Sequence, residues 1–274
     1  MKKMKDFKSM YHIRSIAMTL IAAVVLVGCS TTKQPEVEQG SVTDLYNKAE
    51  VFFKDANYKE ALKYFDAINS RFPYGSYAQQ SALDAIYAAY RSQDYTKALS
   101  LSEAYLRGYS QGAHLDYVLY MTGLANMALA DNFVQDAFKV DQATRDVSSL
   151  LSAYQSFNLL QQNFPTSMYA ADAQLRMKYI IETVARHQLY IVKFYQKRKA
   201  YVAVINRALA LLRQYPETEA AYQVLPILIN AYQAIHIPNL AERFEQILQA
   251  NKNPKFEKIP RPTSSPKIEV PKIF

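Results

Sequence analysis

The sequence RFPYGSYA at residues 71–78 has counterparts at residues 163–170 (NFPTSMYA) and 214–221 (QYPETEAA). Each segment places an aromatic residue before a proline, and a short polar stretch then leads into a new apolar run. Proline disfavours helix at the residue that precedes it, and Ser or Thr can cap the helix that follows. The three segments therefore predict helix–turn–helix junctions that recur along the chain.

A small apolar residue lies twelve positions before each of these prolines, at Ala61, Ala153 and Val204. Ala98, in the sequence DYTKA, and Ala241, in NLA, occupy similar places, so the five positions are separated by 37, 55, 51 and 37 residues. Two of these spacings approach the tetratricopeptide period of about 34 residues. The other two leave room for insertions or lengthened helices. We expect the five residues to lie where two antiparallel helices touch closely.

The composition favours an all-α fold. The chain has only 6 glycines among 274 residues, and Asn-Gly or Asp-Gly turns between alternating segments are missing. The spacing, together with the Asp/Asn-Tyr-x-x-Ala turn and the closing proline, resembles the tetratricopeptide repeat, which implies a superhelical solenoid of about five helix pairs over residues 43–250. The alternative is an ordinary helical bundle whose turns are similar by chance.

The N-terminal segment predicts export. Residues 1–15 hold five basic side chains, and the apolar run of residues 16–27 is twelve residues long, shorter than the ~20 residues of a membrane span. The run ends in LVGC, which resembles the lipobox of bacterial lipoproteins. This resemblance implies a signal peptide over residues 1–28, acylation of Cys29 and, because Ser30 follows, an outer-membrane address.

Cys29 is the only cysteine of the chain, so an intrachain disulfide has no partner. The alternative to acylation is a free thiol or an intermolecular bond. Residues 29–42 are interpreted as a flexible linker between the anchor and the helical array.

The charge is concentrated at the two ends of the chain. Of the net charge of +8, residues 1–28 contribute +4 and residues 251–274 contribute +4. A nucleic-acid-binding domain carries its positive charge on the folded surface, so we expect no nucleic-acid partner. Residues 251–274 also hold five of the eleven prolines and are expected to be extended and disordered. The tail either touches anionic lipid or peptidoglycan or is a solvated end.

No catalytic constellation is visible. The sequence lacks His-Glu-x-x-His, a Gly-rich phosphate loop and Gly-x-Ser-x-Gly, and its single cysteine cannot build a metal site. The acidic insertion at residues 131–146 lacks the central glycine of a calcium loop and is interpreted as a solvated contact surface. We expect a binding module with no catalytic residue, metal or cofactor.

Four further segments make the resemblance specific. Residues 71–80, 116–129, 140–146 and 200–207, in this order after the lipobox, resemble the BamD family of lipoproteins in the outer-membrane β-barrel assembly machinery. The resemblance implies a non-enzymatic periplasmic solenoid anchored in the outer membrane. Its N-terminal repeats would receive the C-terminal signal of unfolded barrel proteins. Its C-terminal repeats would dock on a BamA-like central barrel subunit, beside other lipoproteins of the machinery.

The resemblance assigns the signal contact to the region of Lys59 and to Phe72, Gly75 and Tyr77. An aromatic lining beside an open backbone turn suits an extended apolar peptide. The alternative is that Phe72 and Tyr77 simply pack one helix pair against the next.

The resemblance also assigns contact with the barrel subunit to Arg207, with Arg198 in the basic region beside Lys197 and Lys199. The alternative for these arginines is a solvated charged face. For the whole protein, the rival function is an envelope tetratricopeptide adaptor for peptidoglycan synthesis or cell division, because a fold alone does not determine a function.

Overall fold

The computed structural model describes residues 40–131, 146–252, 254–263, 266 and 268–274. The predicted signal peptide, Cys29, most of the predicted linker and residues 132–145 of the insertion lie outside these ranges. Within them the all-α prediction is confirmed, because the chain forms ten helices and no strand. The helices are α1 (Val42–Lys54), α2 (Tyr58–Arg71), α3 (Ser76–Arg91), α4 (Tyr95–Gly108), α5 (Leu115–Ala130), α6 (Ser148–Asn163), α7 (Ala170–Lys197), α8 (Tyr201–Gln214), α9 (Glu219–Ala234) and α10 (Pro238–Ala250).

The ten helices form five consecutive pairs. Each helix packs against the next one along the chain, and the first helix of a pair also packs against the first helix of a neighbouring pair, as α1 does with α3, α3 with α5 and α7 with α9. Such stacking of helix pairs, each in contact with its neighbours only, is typical of a tetratricopeptide-like solenoid. We refer to the pairs as repeats one to five.

The five small residues of the repeat pattern are all buried where expected. Ala61, Ala98, Ala153, Val204 and Ala241 are at most 2 % exposed, each in the second helix of its pair. A small side chain at this position lets the two helices of a pair approach closely, which explains why the pattern was visible in the sequence.

The proline segments form the predicted junctions, but by different local means. At the third junction Thr218 is the N-cap of α9 and accepts a hydrogen bond from the Ala221 amide at 3.3 Å. At the first junction Gly75, with φ of +96°, precedes α3. At the second, Ser167 donates to the Asp116 carboxylate of α5 at 2.6 Å and does not cap α7. The expectation of a Ser or Thr cap therefore holds at Thr218 only.

Helix α7 connects two separate parts of the core. It is 28 residues long, about twice the length of most of its neighbours. Ile180 and Val184 pack in the core of repeats two and three, whereas Leu189 and Val192, nearer the C-terminal end of α7, pack in the core of repeats four and five. A third, smaller core lies inside repeat one around Phe65.

The described residues of the tail are extended, and several of them pack on the solenoid. Arg261 forms an ion pair with Asp131 at 2.5 Å, and the Thr263 carbonyl accepts from Arg176 at 3.1 Å. Ile268 is only 9 % exposed. Prolines prevent a helix here, so the backbone groups of the tail have no internal partners and are available to side chains of the solenoid.

Candidate functional site

An aromatic groove lies between α1 and α3, at the end of the solenoid formed by repeat one. Tyr46 of α1 and Tyr77 of α3 stand edge to face, with ring centroids 5.3 Å apart. The ring of Phe274, the last residue of the chain, lies 5.8 Å from Tyr46 and 5.0 Å from Tyr77. We call the surface made by Tyr46, Glu50, Tyr77, Gln80 and Asp84 the aromatic groove. It holds residues 271–274.

Gln80 pairs with the backbone of the tail in the groove. Its side-chain amide donates to the Pro271 carbonyl at 3.1 Å and accepts from the Ile273 amide at 2.8 Å. The two contacts skip one residue, as the contacts of an extended strand with a neighbour do. Gln80 is itself completely buried, so it recognises an extended backbone whatever side chains that backbone carries.

The groove contains a buried carboxylate. Asp84 is 1 % exposed and accepts a hydrogen bond from the Tyr46 hydroxyl at 2.9 Å. Burial raises the pKa of Asp84 to about 6, although the positive charge of Lys272 and the hydrogen bonds from Tyr46 and Gln80 act in the opposite direction. Burial likewise raises the pKa of Tyr46, and the negative charge of Asp84 adds to this effect.

The charge of the tail complements that of the groove. The Lys272 ammonium lies 3.0 Å from a Glu50 carboxylate oxygen and 3.9 Å from one of Asp84. Burial acts to raise the pKa of Glu50, but hydrogen bonds from Lys54 and Lys272 outweigh it and lower that pKa. The groove therefore offers negative charge to a basic side chain two positions before a terminal aromatic.

The structure brings three of the four predicted signal-contact residues together. Phe72, Gly75 and Tyr77 lie in the α2–α3 junction, and the exposed Gly75 has open space around its Cα. Phe72 and Tyr77 are half-buried against the core of repeat one, in line with the packing alternative. Tyr77 also faces the groove, since it contacts Phe274.

Lys59 lies away from this group. It is exposed near the start of α2, thirteen positions before Phe72, which corresponds to ~20 Å along a helix. The resemblance placed Lys59 beside the other three residues, and the structure does not join it to the groove.

Sequence reasoning missed four residues of the groove, namely Tyr46, Glu50, Gln80 and Asp84, and it missed Phe274, which binds there. One signal was present, because Gln80 and Asp84 are polar residues four positions apart within the apolar segment of residues 78–90. Residues with this spacing share a helix face. A polar pair on a buried face indicates a specific polar partner.

The second candidate surface lies on α7 and α8. Tyr190, Phe194 and Arg198 follow one another at four-residue spacing, and Phe194 and Tyr190 are 41 % and 49 % exposed. The Arg198 guanidinium lies 3.5 Å from the centroid of the Phe194 ring. Arg207 is exposed on α8. We call Tyr190, Phe194 and Arg198 the α7 stripe; the two aromatic residues were not identified from the sequence.

The described residues show neither a membrane span nor a metal cluster. Among the helices α1 to α10, none is both long and apolar enough to cross a membrane. The same residues contain no group of three or more His, Cys, Asp or Glu side chains placed to hold a metal ion.

Comparison with known proteins identifies relatives over most of the chain. The sequence profile of the family described as "YfiO: Outer membrane lipoprotein" matches residues 38–247. The chain is 44 % identical over 243 residues to the outer membrane protein assembly factor BamD of Pasteurella multocida, covering 89 % of this chain and 93 % of that protein. The BamD proteins of Haemophilus influenzae and Vibrio cholerae are 43 % and 36 % identical, over 89 % and 85 % of this chain and 92 % and 96 % of their own lengths.

Proposed function

The chain belongs to the BamD (YfiO) family of outer membrane lipoproteins, and on that premise we propose that it acts in the assembly of outer-membrane barrel proteins. It does so as a non-enzymatic scaffold on the periplasmic face of the outer membrane. Its attachment is the acylated Cys29, which carries chains such as palmitate. More than one acyl chain gives stable anchoring where a single chain is marginal.

The aromatic groove receives the C-terminal signal of unfolded barrel proteins. The observation that carries this assignment is the extended segment already bound there, whose Phe274 ring packs against Tyr46 and Tyr77 and whose backbone is paired with Gln80. Backbone pairing supplies affinity for any extended peptide, and a pocket for one side chain supplies selectivity. Such a site accepts many barrel proteins if they share a terminal aromatic.

The other predicted signal residues act at the edge of this site. Gly75 provides the turn with positive φ that starts α3, and a chain passing there meets no side chain. The Arg71 guanidinium lies over the Phe72 ring, 5.1 Å from the ring centroid. Phe72 thereby helps to fix the junction that leads to Tyr77. Lys59 lies at the opposite end of α2 and contributes only if the incoming chain extends beyond the groove.

The α7 stripe and Arg207 dock on a BamA-like central barrel subunit. Exposed aromatic and arginine side chains are enriched at protein interfaces. Arginine presents a planar fork of donors that fits a carboxylate. A complementary surface would therefore offer an apolar pocket for Phe194 and acidic groups for Arg198 and Arg207.

In-cell photo-crosslinking tests both assignments. A photoreactive residue is placed at Phe72, at Arg207 and, as a control, at Glu103, an exposed residue on α4. We expect nascent barrel proteins at the first position, the central barrel subunit at the second, and neither at the control. Peptidoglycan-synthesis or division proteins at the first two positions would instead support the adaptor function.

A further inference from the structure

The site that we propose for the incoming signal is occupied by residues 271–274 of the same chain. Residues 268–274 have the sequence IEVPKIF, and the ring of Phe274 contacts both tyrosines of the aromatic groove. We propose that residues 268–274 are an intramolecular competitor for the groove, which an incoming signal must displace. The identity of the incoming chain rests on the proposed function; the occupancy of the groove rests on the contacts below.

The first contact that carries the inference is the backbone pairing. Gln80 satisfies both the Pro271 carbonyl and the Ile273 amide. Farther back, the Glu269 carbonyl accepts from the Tyr169 hydroxyl at 3.4 Å. Side chains of the solenoid therefore bind three main-chain groups of the tail within residues 269–273. That mode of recognition transfers to another extended peptide without any change in the groove.

The second contact is the side-chain pattern of the tail. Ile268 is buried and Val270 and Ile273 are half-buried against the core of repeats two and three, while Glu269 and Lys272 are exposed. Lys272 meets Glu50 and Asp84, and Phe274 meets the tyrosines. The groove suits an extended apolar segment that carries an aromatic side chain at its end, and residues 268–274 have these features.

The third observation is that the last side chains of the tail remain partly exposed. Phe274 is 61 % exposed and the Lys272 side chain is 52 % exposed, so neither the ring nor the ion pair is fully withdrawn from water. Exposed ion pairs contribute little to stability. A segment tethered to its site is nevertheless present at an effective concentration on the order of millimolar, so a weakly bound tail still fills the groove.

The competition sets a minimum affinity that an incoming signal must have for the groove. A signal must bind the groove more tightly than the tethered tail does at its effective concentration, or it does not remain. Weak, unspecific apolar chains are excluded, and a bound substrate leaves when the tail returns. The alternative to this role is a permanent clasp that only stabilises the N-terminal repeats.

The experiment measures binding of a fluorescently labelled peptide, IEVPKIF, to the mature full-length protein by fluorescence polarisation. Three proteins are compared: wild type, Phe274→Ala and Phe256→Ala. Phe256 is a matched control, because it is a phenylalanine of the same tail whose ring lies 6.0 Å from Tyr222 in repeat five. We expect Phe274→Ala to bind the peptide about tenfold more tightly than wild type, and Phe256→Ala to bind like wild type.

Equal affinity of the three proteins for the peptide, or no binding to any of them, would overturn the proposal and leave the permanent clasp. Adding Tyr77→Ala to the Phe274→Ala protein locates the site, because peptide binding should then be lost. Binding that survives this change would also contradict the proposal, since the peptide would lie elsewhere. Circular dichroism of each variant verifies that the helices are retained.

A second probe separates this inference from the proposed function. A synthetic C-terminal peptide of an outer-membrane barrel protein is added to the bound IEVPKIF complex. Displacement supports both proposals. A barrel peptide that binds wild type and Phe274→Ala equally well supports the receptor function and overturns the competition. The third outcome is that the barrel peptide does not bind, although IEVPKIF binds Phe274→Ala more tightly than wild type. This result overturns the receptor function but supports the occupancy of the groove by the tail.

Discussion

The solenoid up to Val184 and the solenoid from Ala185 onward are built from the same kind of helix pair, with α7 shared between the two regions, yet their buried side chains differ in kind. In the first region Gln80, Asp84 and Arg176 are each at most 1 % exposed. From Ala185 onward, Thr218 is the only buried polar side chain among the described residues, and it serves as a helix cap. Both regions bury apolar side chains, but the first region also buries charged and amide groups.

The tail accounts for this difference. Buried polar groups require hydrogen-bond partners, and in the first region the tail supplies several of them. Gln80 pairs with Pro271 and Ile273, and Arg176 donates to the Thr263 carbonyl. The first region is therefore constructed around an extended peptide. The second has a self-sufficient core and leaves its aromatic and basic side chains on the surface as the α7 stripe.

The largest expected effect is the loss of a buried cation in the first region. Arg176 is 1 % exposed and forms an ion pair with Asp172 at 2.5 Å. We expect Arg176→Ala to lower the free energy of unfolding by about 4 kcal/mol, because it leaves a cavity and removes the partner of the Thr263 carbonyl. Urea denaturation gives the value.

The matched control is Arg213→Ala, which removes the exposed Arg213 side chain of α8 in the second region. We expect this change to stay within about 0.5 kcal/mol of wild type. Equal losses for Arg176→Ala and Arg213→Ala would show that the buried polar groups of the first region are not needed for its stability.

A pH-dependent effect follows from Asp84. Burial raises its pKa from the ordinary value of 3.8 to about 6 in the folded protein, so the folded state holds the proton more tightly than the unfolded state. The stability that Asp84 contributes is therefore greatest below pH ~4 and is lost as pH rises through ~6. Two pKa units correspond to about 3 kcal/mol.

The comparison that isolates this effect is wild type against Asp84→Asn, because the amide does not titrate. We expect the unfolding free energy of wild type, relative to the variant, to fall by about 2 kcal/mol between pH 4 and pH 7, because the unfolded carboxyl is already partly ionised at pH 4. The charged and titratable groups facing Asp84 are Tyr46, Glu50, Tyr117 and Lys272, and both proteins keep them. If the unfolding free energies of the two proteins changed in parallel with pH, ionisation of Asp84 would not destabilise the folded state.

The first region also contains a close approach of two helices at a glycine. Gly123 of α5 faces the ring of Phe157 of α6, and a Cβ at this position would overlap that ring. We expect Gly123→Ala to lower the unfolding free energy by about 2 kcal/mol, since overpacking outweighs the better helix propensity of alanine.

Gly108→Ala is the matched change, because nothing lies within 4 Å of the position that its Cβ would take at the end of α4. We expect neutrality or a gain of about 0.5 kcal/mol there. A loss at both glycines would assign the effect to helix backbone changes in general and not to the contact with Phe157.

The fold was predictable because its signals are local. Proline at residues 73, 165 and 216 stops one helix and a small residue twelve positions earlier marks the closest contact within a pair, so each junction could be identified from about twenty residues. The aromatic groove is different. Its hydrogen bond between Gln80 and Pro271 joins residues 191 positions apart, and no local pattern carries that information.

The tail illustrates the limit of a composition argument. Prolines and lysines correctly exclude a helix from residues 254–263, but the same composition does not exclude docking onto a partner surface. Arg261, Lys272 and Phe274 each find a partner on the solenoid. Composition describes what a segment cannot form by itself, whereas docking depends on groups such as Asp131 and Glu50 that lie elsewhere in the chain.

The smallest expected effect concerns the α7 stripe of the second region. The Arg198 guanidinium stacks on the exposed Phe194 ring at 3.5 Å from its centroid. A cation–π contact at an exposed site contributes about 0.5–1 kcal/mol. A double-mutant cycle with Phe194→Leu and Arg198→Ala should therefore give a coupling of about 0.5 kcal/mol in urea denaturation.

Leucine retains apolar bulk at position 194 and removes the ring face, so the cycle isolates the stacking from the packing of the side chain on α7. A coupling near 0.5 kcal/mol means that the solenoid folds without the stripe, whose side chains are then available to a partner surface. A coupling of several kcal/mol would show that Phe194 and Arg198 hold the end of α7 in place. In that case the second region, like the first, would depend on a polar contact for its stability.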